Sequence, residues 1–215
     1  MRNARNDADY RAALDSTIEE SAELIRTFDA LLMIARAESG EAARDMAEFD
    51  AAEVARGVAE LYEPVAEEKG LRLAIEAPGP AMVRGHRELI SQAMANLVDN
   101  AIKYAAPAPV LVAADGAEAA DAPPPAVTVT AGIEGERVVL TVADRGPGIP
   151  EDQRAHAVER FVRLEQSRSQ PGSGLGLSLA AAIAHLHHGE LRLEDNAPGL
   201  RAVILLPRAG PQRSD

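Results

Sequence analysis

The 215-residue sequence contains no cysteine and no tryptophan, and only three tyrosines and three phenylalanines. The absence of cysteine excludes disulfide bonds, thiolate metal sites and cysteine nucleophiles. Because aromatic residues make up only 3% of the chain, its core must be built from aliphatic side chains. The hydrophobic fraction of 47% and the charged fraction of 26% are typical of a globular protein with a sizeable core.

Basic residues are in deficit, with 22 Lys and Arg against 34 Asp and Glu, which gives a formal net charge of -12. This balance argues against a general binder of nucleic acid or of anionic membranes. No apolar run approaches the roughly 18 to 20 residues of a membrane span, and residues 1–10 lack the apolar core of a signal peptide. We therefore expect a cytoplasmic chain, with room in its length for one full domain and a smaller element.

Apolar side chains recur in alternating steps of four and three through residues 7–39. This spacing is that of a heptad seam between packed helices. Leu24 and Leu31 widen the seam into a stripe suited to a bundle, and Gly40 stands where such a helix would end. We predict a long helix that dimerises in an antiparallel bundle, and an ordinary packed helix remains the alternative. The seam consists of Leu14, Ile18, Ser21, Ile25, Phe28, Leu32 and Ala35.

From Gly40 onward, helical and strand patterns alternate. Helices are predicted at 51–69, with Asp50 as the N-cap, at 86–105, near 151 and at 174–188. Strands are predicted at 71–75, 127–133, 137–143, 190–194 and 201–205, with an Ala- and Pro-rich loop at 106–125. Because the last strands form hairpins, the pattern predicts an α/β fold, a two-layer sandwich with a mixed sheet. His187 and His188 are predicted to end the last helix, where a protonated imidazole favours the helix dipole, and a metal site is the less favoured alternative.

The helix predicted at 86–105 carries a polar face beside an apolar one. At about 100° per residue, Asn96, Asn100, Lys103 and Tyr104 fall within roughly one third of its circumference. Amide oxygens suit a hard cation such as Mg2+, an ammonium group suits phosphate, and a phenol can cover an aromatic ring. This face therefore predicts a polar floor for a ligand, and a solvated helix face is the alternative. The adjoining arc, predicted to face the core, consists of Ile90, Met94, Leu97, Val98 and Ala101.

A second candidate segment, DRGPGIP at 144–150, follows directly after a strand pattern. Asp144 at the strand end, with Gly146 and Gly148 beside it, places a carboxylate where the backbone can approach a ligand closely. An ionised carboxylate only accepts hydrogen bonds, so it favours the amino group of adenine over the carbonyl of guanine. An Asp-Gly turn that leads into a helix near Pro150 is the alternative interpretation.

A third candidate segment, GSGLGL at 172–177, opens a predicted helix. Free N–H groups and the positive end of the helix dipole can hold phosphates at such a start. The spacing differs from the dinucleotide-binding fingerprint, and the sequence contains no GxxxxGK[ST] loop. Upstream, Arg163 and Arg168 lie in a polar stretch that we interpret as a lid over the phosphates, with simple solvation as the alternative.

In chain order, NLVDNAIKY, DRGPGIP, a segment that contains Phe161, and GSGLGL resemble the N, G1, F and G2 boxes of sensor histidine kinases. The resemblance covers about residues 47–207 and implies the ATP-binding fold of the GHKL superfamily, also called the Bergerat fold. The N-terminal segment, which ends in LLMIARAESG, resembles the second helix of the family's dimerisation and phosphotransfer domain. We therefore predict a partial dimerisation helix at 1–45, an ATP-binding domain at 46–207 and a flexible tail at 208–215.

The resemblance implies ATP and Mg2+ as cofactors and assigns roles to single residues. Asn100 matches the Mg2+-coordinating asparagine, and Asn96 stands where the ATP-hydrolysing relatives carry a catalytic glutamate. Lys103 and Tyr104 match residues that face phosphate and adenine, and Asp144 matches the carboxylate that reads adenine. Asn96 and Lys103 are the predicted catalytic residues. The predicted nucleotide-binding set comprises Asn96, Asn100, Lys103, Tyr104, Asp144, Gly146, Gly148, Ile149, Arg163, Arg168, Gly172, Gly174, Leu175, Gly176 and Leu177.

The sequence also departs from the family pattern. It contains no histidine in the phosphoacceptor context, a His followed by an acidic residue and then Thr-Pro. All five histidines, His86, His156, His185, His187 and His188, lie within the predicted ATP-binding domain. We therefore expect that the chain does not phosphorylate itself when it is alone.

The sequence favours the ATP-binding part of a protein-histidine kinase, whose acceptor histidine is absent from this chain. The implied partners are a histidine-bearing bundle helix, the receiver domain of a response regulator and a second copy of the chain through the N-terminal helix. A catalytically silent nucleotide-binding or scaffold module that pairs with a true kinase is the alternative. The bundle-like N-terminal helix argues against a serine-directed kinase of the anti-sigma-factor type.

Overall fold

The computed structural model describes residues 46–105, 126–159 and 174–210, together with the single residues Phe28, Leu32 and Val162. The three continuous ranges form four helices and seven strands. The helices are α1 (Ala51–Glu68), α2 (Arg87–Tyr104), α3 (Glu151–Ala157) and α4 (Gly176–Leu186). The strands are β1 (Ala47–Asp50), β2 (Arg72–Glu76), β3 (Met82–Gly85), β4 (Ala126–Glu134), β5 (Arg137–Ala143), β6 (Glu190–Asp195) and β7 (Leu200–Pro207).

Five of these strands form a mixed sheet in the order β2-β4-β5-β7-β6. β2 pairs with β4 in parallel, and the other neighbours in this sheet pair antiparallel. Alternate residues of β5 face the helices, so Val138, Leu140 and Val142 lie in the main core with aliphatic residues of α2 and α4. The predicted two-layer α/β sandwich with a mixed sheet is confirmed.

The first helix begins where the sequence predicts. Asp50 caps α1 because its Oδ1 accepts a hydrogen bond from the Ala52 N–H at 2.9 Å. The same oxygen accepts a bond from the Ala81 N–H at 2.7 Å, which ties the start of α1 to the segment before β3. Gly70, with φ of +68°, follows the end of α1 and supplies a left-handed conformation that favours glycine.

A second, two-stranded sheet was not predicted from the sequence. β1 and β3 pair antiparallel, with Phe49 opposite Val83. The domain continues past its predicted end at 207. The N–H groups of Arg208 and Ala209 donate hydrogen bonds to the carbonyl oxygens of Glu136 and Met82 at 3.0 and 2.9 Å. The closing segment of the domain therefore reaches both sheets.

The end of α4 corrects one prediction. The side chain of His187 is only 3% exposed, and burial lowers the pKa of its imidazole below the usual value of 6.5. Its Nδ1 lies 2.7 Å from the Ile183 carbonyl oxygen, and its Nε2 accepts a hydrogen bond from the His86 N–H at 2.9 Å. The expected protonated imidazole at this position is wrong, because the buried ring is held as an acceptor at Nε2.

Most of the predicted N-terminal helix lies outside the described residues, as does the loop predicted at 106–125. Phe28 and Leu32 are described; both are helical, and they are 62% and 42% exposed. Their apolar side chains fit the predicted seam. Among the helices that the structure describes, none has the length and apolarity needed to cross a bilayer.

Candidate functional site

The polar face of α2 lies where the sequence predicts it. Asn96, Asn100, Lys103 and Tyr104 are half-buried, and the Lys103 ammonium nitrogen lies 5.0 Å from the centre of the Tyr104 ring. Such a spacing allows a cation–π contact that orients both side chains. The residues predicted to face the core, Ile90, Met94, Leu97, Val98 and Ala101, are all buried.

Asn96 carries an unsatisfied hydrogen-bond donor. Its Nδ2 atom is buried and has no hydrogen-bond partner among the described residues. A buried amide without a partner costs about 1 to 3 kcal/mol in a folded protein. Because this cost is removed when a ligand accepts the bond, the orphaned amide is consistent with a binding role for this face.

The Asp144 carboxylate is buried at the end of β5. It is only 6% exposed, and its Oδ1 accepts hydrogen bonds from the Gly146 N–H at 2.7 Å and the Leu200 N–H at 3.2 Å. Burial raises the pKa of the Asp144 carboxyl above the usual 3.8, although the two N–H groups act in the opposite direction. Both bonds from described residues go to Oδ1, so Oδ2 is the oxygen available to a ligand.

The glycines after Asp144 allow a close approach to α2. A Cβ atom on Gly146 would lie 2.5 Å from the Tyr104 carbonyl oxygen, so only glycine fits against this end of the helix. Gly148 has a φ of +69°. Ile149 is half-buried, and its carbonyl oxygen accepts a hydrogen bond from Arg154 Nε at 2.9 Å. These contacts bring Asp144 and Tyr104 to the same end of the domain.

The second glycine segment also contacts the polar face of α2. A Cβ atom on Gly176 would lie 3.0 Å from Asn100 Nδ2, so the first residue of α4 packs directly against this amide. Gly174 has a φ of +71°, Leu175 is buried, and Leu177 packs against the core. Leu175 supplies no side-chain cap, which leaves the first N–H groups of α4 without that partner.

Four residues of interest lie outside the described part of the chain. Arg163, Arg168 and Gly172 of the predicted nucleotide-binding set fall there, as does Phe161. Their predicted roles remain predictions. The structure brings together the other members of the set through the Gly146–Tyr104 and Gly176–Asn100 contacts.

The structure also adds a segment that sequence analysis did not assign to the site. The turn between β6 and β7, residues 196–199, packs against the backbone of Asp144. Asn196 Nδ2 donates to the Asp144 carbonyl oxygen at 2.6 Å. The Pro198-Gly199 pair signals a turn in the sequence, but nothing local connects that turn to a residue 52 positions away.

Taken together, the chemistry of these groups is compatible with a purine nucleotide. Asp144 presents an acceptor for an exocyclic amino group, and Gly146 beside it contacts the backbone of Tyr104, whose side chain offers an aromatic ring. Asn100 and Lys103 lie along α2 toward the start of α4, where amide, ammonium and backbone N–H groups suit phosphate and its cation. Among the residues with described positions, no cluster of three or more His, Asp or Glu forms a metal site by itself.

Known proteins are similar to this chain in sequence and in fold. Residues 85–210 match the family described as histidine kinase-, DNA gyrase B- and HSP90-like ATPase. Over 200 residues, or 92% of this chain, the sequence is 32% identical to the sensor protein IrlS of Burkholderia pseudomallei, and the match covers 39% of IrlS. Over 145 residues, or 63% of this chain, it is 37% identical to the signal transduction histidine-protein kinase/phosphatase MprB of Mycolicibacterium vanbaalenii, and the match covers 26% of MprB.

The fold is similar to that of full-length ShkA, whose structure was solved in complex with AMPPNP. The TM-score is 0.72 at 26% sequence identity, and the match covers 94% of this chain and 39% of ShkA. The chain therefore spans about a quarter to two fifths of the length of these relatives.

Proposed function

We propose, from the premise that the chain belongs to the family of histidine kinase-, DNA gyrase B- and HSP90-like ATPases, that it is the ATP-binding part of a sensor histidine kinase. In this function the γ-phosphoryl group of ATP passes to a histidine that this chain does not carry. The observation that supports the proposal most is the packing of the polar α2 face against both glycine segments. This packing gathers base-reading and phosphate-binding groups at one end of the domain.

The base is read by Asp144. Its Oδ2 accepts a hydrogen bond from the exocyclic amino group of adenine, whereas guanine presents a carbonyl oxygen at that position and is repelled. Burial raises the pKa of the Asp144 carboxyl. The same burial excludes water and therefore strengthens a hydrogen bond to a ligand. Tyr104 covers the ring, and the glycine at 146 lets the backbone approach it.

The phosphates and their cation lie along α2 and the start of α4. Mg2+ fits the Asn100 amide oxygen, which lies in a cradle that a side chain at Gly176 would fill. The buried Asn96 Nδ2 is a donor without a partner in the described part of the chain, so it suits a phosphate oxygen and not the cation. Asn100 would hold the ion, which neutralises phosphate charge when bound. Lys103 contributes a second positive charge toward the phosphates. Arg163 and Arg168 remain the predicted lid residues.

The amide of Asn96 favours phosphoryl transfer to a histidine over hydrolysis of ATP. A side-chain amide cannot take a proton from water, so the site lacks a general base at this position. Phosphoryl transfer depends mainly on positioning and on charge stabilisation. Asn96 and Lys103 therefore hold ATP for an incoming imidazole while hydrolysis stays slow. The nucleophilic nitrogen forms a bond to the γ-phosphorus, and ADP leaves with the bridging oxygen.

The chain alone lacks an acceptor in the family's context, and this observation favours a second candidate function. A nucleotide-binding or scaffold module would use the same site without transferring a phosphoryl group. Both functions predict ATP binding. They differ when a bundle fragment that carries the family's acceptor histidine is supplied.

Two measurements test the proposal. Calorimetry with Mg2+ is expected to show ATP binding at micromolar to millimolar affinity, the usual range for small substrates. Radiolabelled ATP is then incubated with the chain, with and without the histidine-bearing fragment. Acid-labile label on the fragment alone is the expected result. Label on the chain itself would contradict the proposal, and ATP binding without any label would favour the scaffold module.

The proposed partners follow from the same function. A histidine-bearing bundle helix supplies the acceptor, and the receiver domain of a response regulator takes the phosphoryl group from it. A second copy of the chain pairs through the N-terminal helix. The proposed location is the cytoplasm, with the chain as the inner part of a longer sensor.

A further inference from the structure

The turn at residues 196–199 packs against the backbone of Asp144. Asn196 Nδ2 donates to the Asp144 carbonyl oxygen at 2.6 Å, and the Asp144 N–H donates to the Leu200 carbonyl oxygen at 2.9 Å. The Leu200 N–H completes the set by donating to Asp144 Oδ1 at 3.2 Å. The backbone N–H, the backbone carbonyl and one carboxylate oxygen of Asp144 are therefore all held by the turn together with Leu200, the first residue of β7.

The fit between the turn and Asp144 leaves no room for a side chain at Gly199 or at Gly148. A Cβ atom on Gly199 would lie 1.9 Å from the Asp144 carbonyl oxygen, and one on Gly148 would lie 2.7 Å from the Gly199 carbonyl oxygen. The turn is closed by its own hydrogen bond, from the Asn196 N–H to the Gly199 carbonyl oxygen at 3.1 Å. Asn196 is thus fixed at both its backbone and its side chain.

We infer that Asn196 is a positioning residue that aims the Asp144 carboxylate and thereby sets the preference for adenine over guanine. This inference rests on the proposed function, because it concerns how the same site reads its base. Asn196 acts through the peptide group after Asp144, which its amide holds in place. With that peptide fixed and Oδ1 engaged by two N–H groups, Oδ2 keeps one direction toward the ligand.

Loss of the Asn196 amide affects the two purines differently. Without the donor, the peptide after Asp144 can rotate, and the carboxylate samples more directions. Adenine loses a well-aligned hydrogen bond, whereas guanine loses part of its repulsion from the same oxygen. The ratio of the two affinities therefore falls, even where overall binding changes little.

The test uses calorimetry of the full chain with ATP, GTP and inorganic tripolyphosphate. Asn196→Asp keeps the shape of the side chain and replaces the donor by an acceptor, and Asn196→Ala removes the side chain. Both variants are expected to lower the ratio of the dissociation constants for GTP and ATP by about three- to tenfold, the fold-change of one hydrogen bond. Tripolyphosphate binding is expected to stay unchanged, because its partners are elsewhere.

Asp195→Asn is the matched control, because Asp195 is the exposed neighbour that ends β6. It should keep the purine ratio of the parent chain. Variants of Asn196 that keep the parent ratio would overturn the inference, including variants that only lower stability or weaken both purines equally. A parent chain that binds ATP without preferring it to GTP would overturn the base-reading role of Asp144 as well. A parent chain that does not bind ATP would overturn the proposed function and the inference together.

Urea unfolding of each variant identifies folded samples. If Asn196→Ala does not fold, the near-isosteric Asn196→Asp alone decides whether the inference holds.

Discussion

Ionisation of the Asp144 carboxyl lowers stability but is needed for ligand binding in the proposed function. Burial raises the pKa of its carboxyl above 3.8, so ionisation is less favourable in the folded protein than in the unfolded chain. The penalty is absent below pH 3.8, develops as the pH rises toward the folded-state pKa, and is complete above that pKa. The ionised form is nevertheless the one that reads adenine in the proposed function.

Asp144→Asn is expected to stabilise the chain at pH 7 and to weaken ATP binding. The amide oxygen can still accept from Gly146 and Leu200, while the amide nitrogen carries no charge to desolvate. That nitrogen would face the adenine amino group, so ATP affinity should fall about ten- to hundredfold, the worth of a charged hydrogen bond. Urea unfolding and calorimetry measure the two effects.

Asp195→Asn serves as the control at an exposed carboxylate, where a change within about 0.5 kcal/mol is expected. A loss of stability in Asp144→Asn at pH 7 would contradict the sign derived from the pKa. Unchanged ATP affinity would contradict the assignment of Asp144 to the base.

At the scale of elements, α4 ends in a motif that usually contains glycine. The Gly189 N–H donates to the Ala184 carbonyl oxygen at 2.8 Å, and the His188 N–H donates to the His185 carbonyl oxygen at 2.9 Å. This pair of bonds is the Schellman pattern, in which the residue at the His188 position is left-handed. His188 has a φ of +56°, a conformation that costs a side-chain-bearing residue about 1 to 2 kcal/mol.

His188→Gly is therefore expected to raise the free energy of unfolding by about 1 kcal/mol. Urea unfolding at pH 8 measures the change. His185→Gly, at an exposed position inside the last turn of α4, should lower stability by about 1 kcal/mol. If both glycines shift stability in the same direction, the strain assigned to His188 is wrong.

The buried His187 ring couples α4 to the start of α2 and makes this junction sensitive to pH. Because its pKa lies below 6.5 in the folded protein, its stabilising contribution is complete above pH 6.5 and is lost as the pH falls through the folded-state pKa. A proton on Nε2 would face the His86 N–H, which is itself a donor. His86 and His188 also disfavour the charged form when they are protonated.

The chain is therefore expected to lose stability between pH 7 and pH 5.5, and His187→Gln should reduce that loss. Gln can accept the bond from His86 but does not titrate in this range. The variant should start from lower stability at pH 8, because the packing of the ring is lost. Urea midpoints across the pH series provide the measurement. His188→Gln keeps the buried ring and should keep the loss; an equal loss in His187→Gln would exclude His187 as its source.

Local patterns predicted much of the fold and of the candidate site. The cap at Asp50 and the buried arc of α2 follow from residues close together in sequence, and the structure contains both. Contacts between distant residues were not predictable in this way. β1 and β3 have only four residues each and carry no alternation long enough to detect. His187 ends α4 as predicted, but the burial of its ring was not predictable, because Gly85, about a hundred residues earlier, leaves the space for it.

At the scale of the whole molecule, the N-terminal segment is expected to control the oligomeric state. Phe28 and Leu32 are helical and exposed, as expected for seam positions that a partner covers. Burying each such side chain contributes about 1.5 to 3 kcal/mol, so a seam of several residues can outweigh the entropy of association. Light scattering should find dimers of the full chain and monomers of residues 46–215.

A double variant, Phe28→Ser with Leu32→Ser, tests the seam at full length and should also be monomeric. Leu61→Ser is the matched control, because Leu61 is 71% exposed on α1 and lies outside the seam. Dimers that survive in residues 46–215 would contradict a role for the N-terminal segment.

The edge of the five-stranded sheet at β6 carries charged side chains. A strand of another molecule could pair at this edge. β6 ends the strand order, so one of its edges has no strand partner among the described residues. Leu191 and Leu193 pack against the core, while Glu190 pairs with Arg137 at 2.7 Å and with Arg192 at 2.5 Å. Charged side chains on an edge strand oppose pairing with the edge of another chain. These ion pairs therefore protect the folded chain against edge-to-edge aggregation into fibrils, and neutral residues at Glu190 and Arg192 would remove that protection.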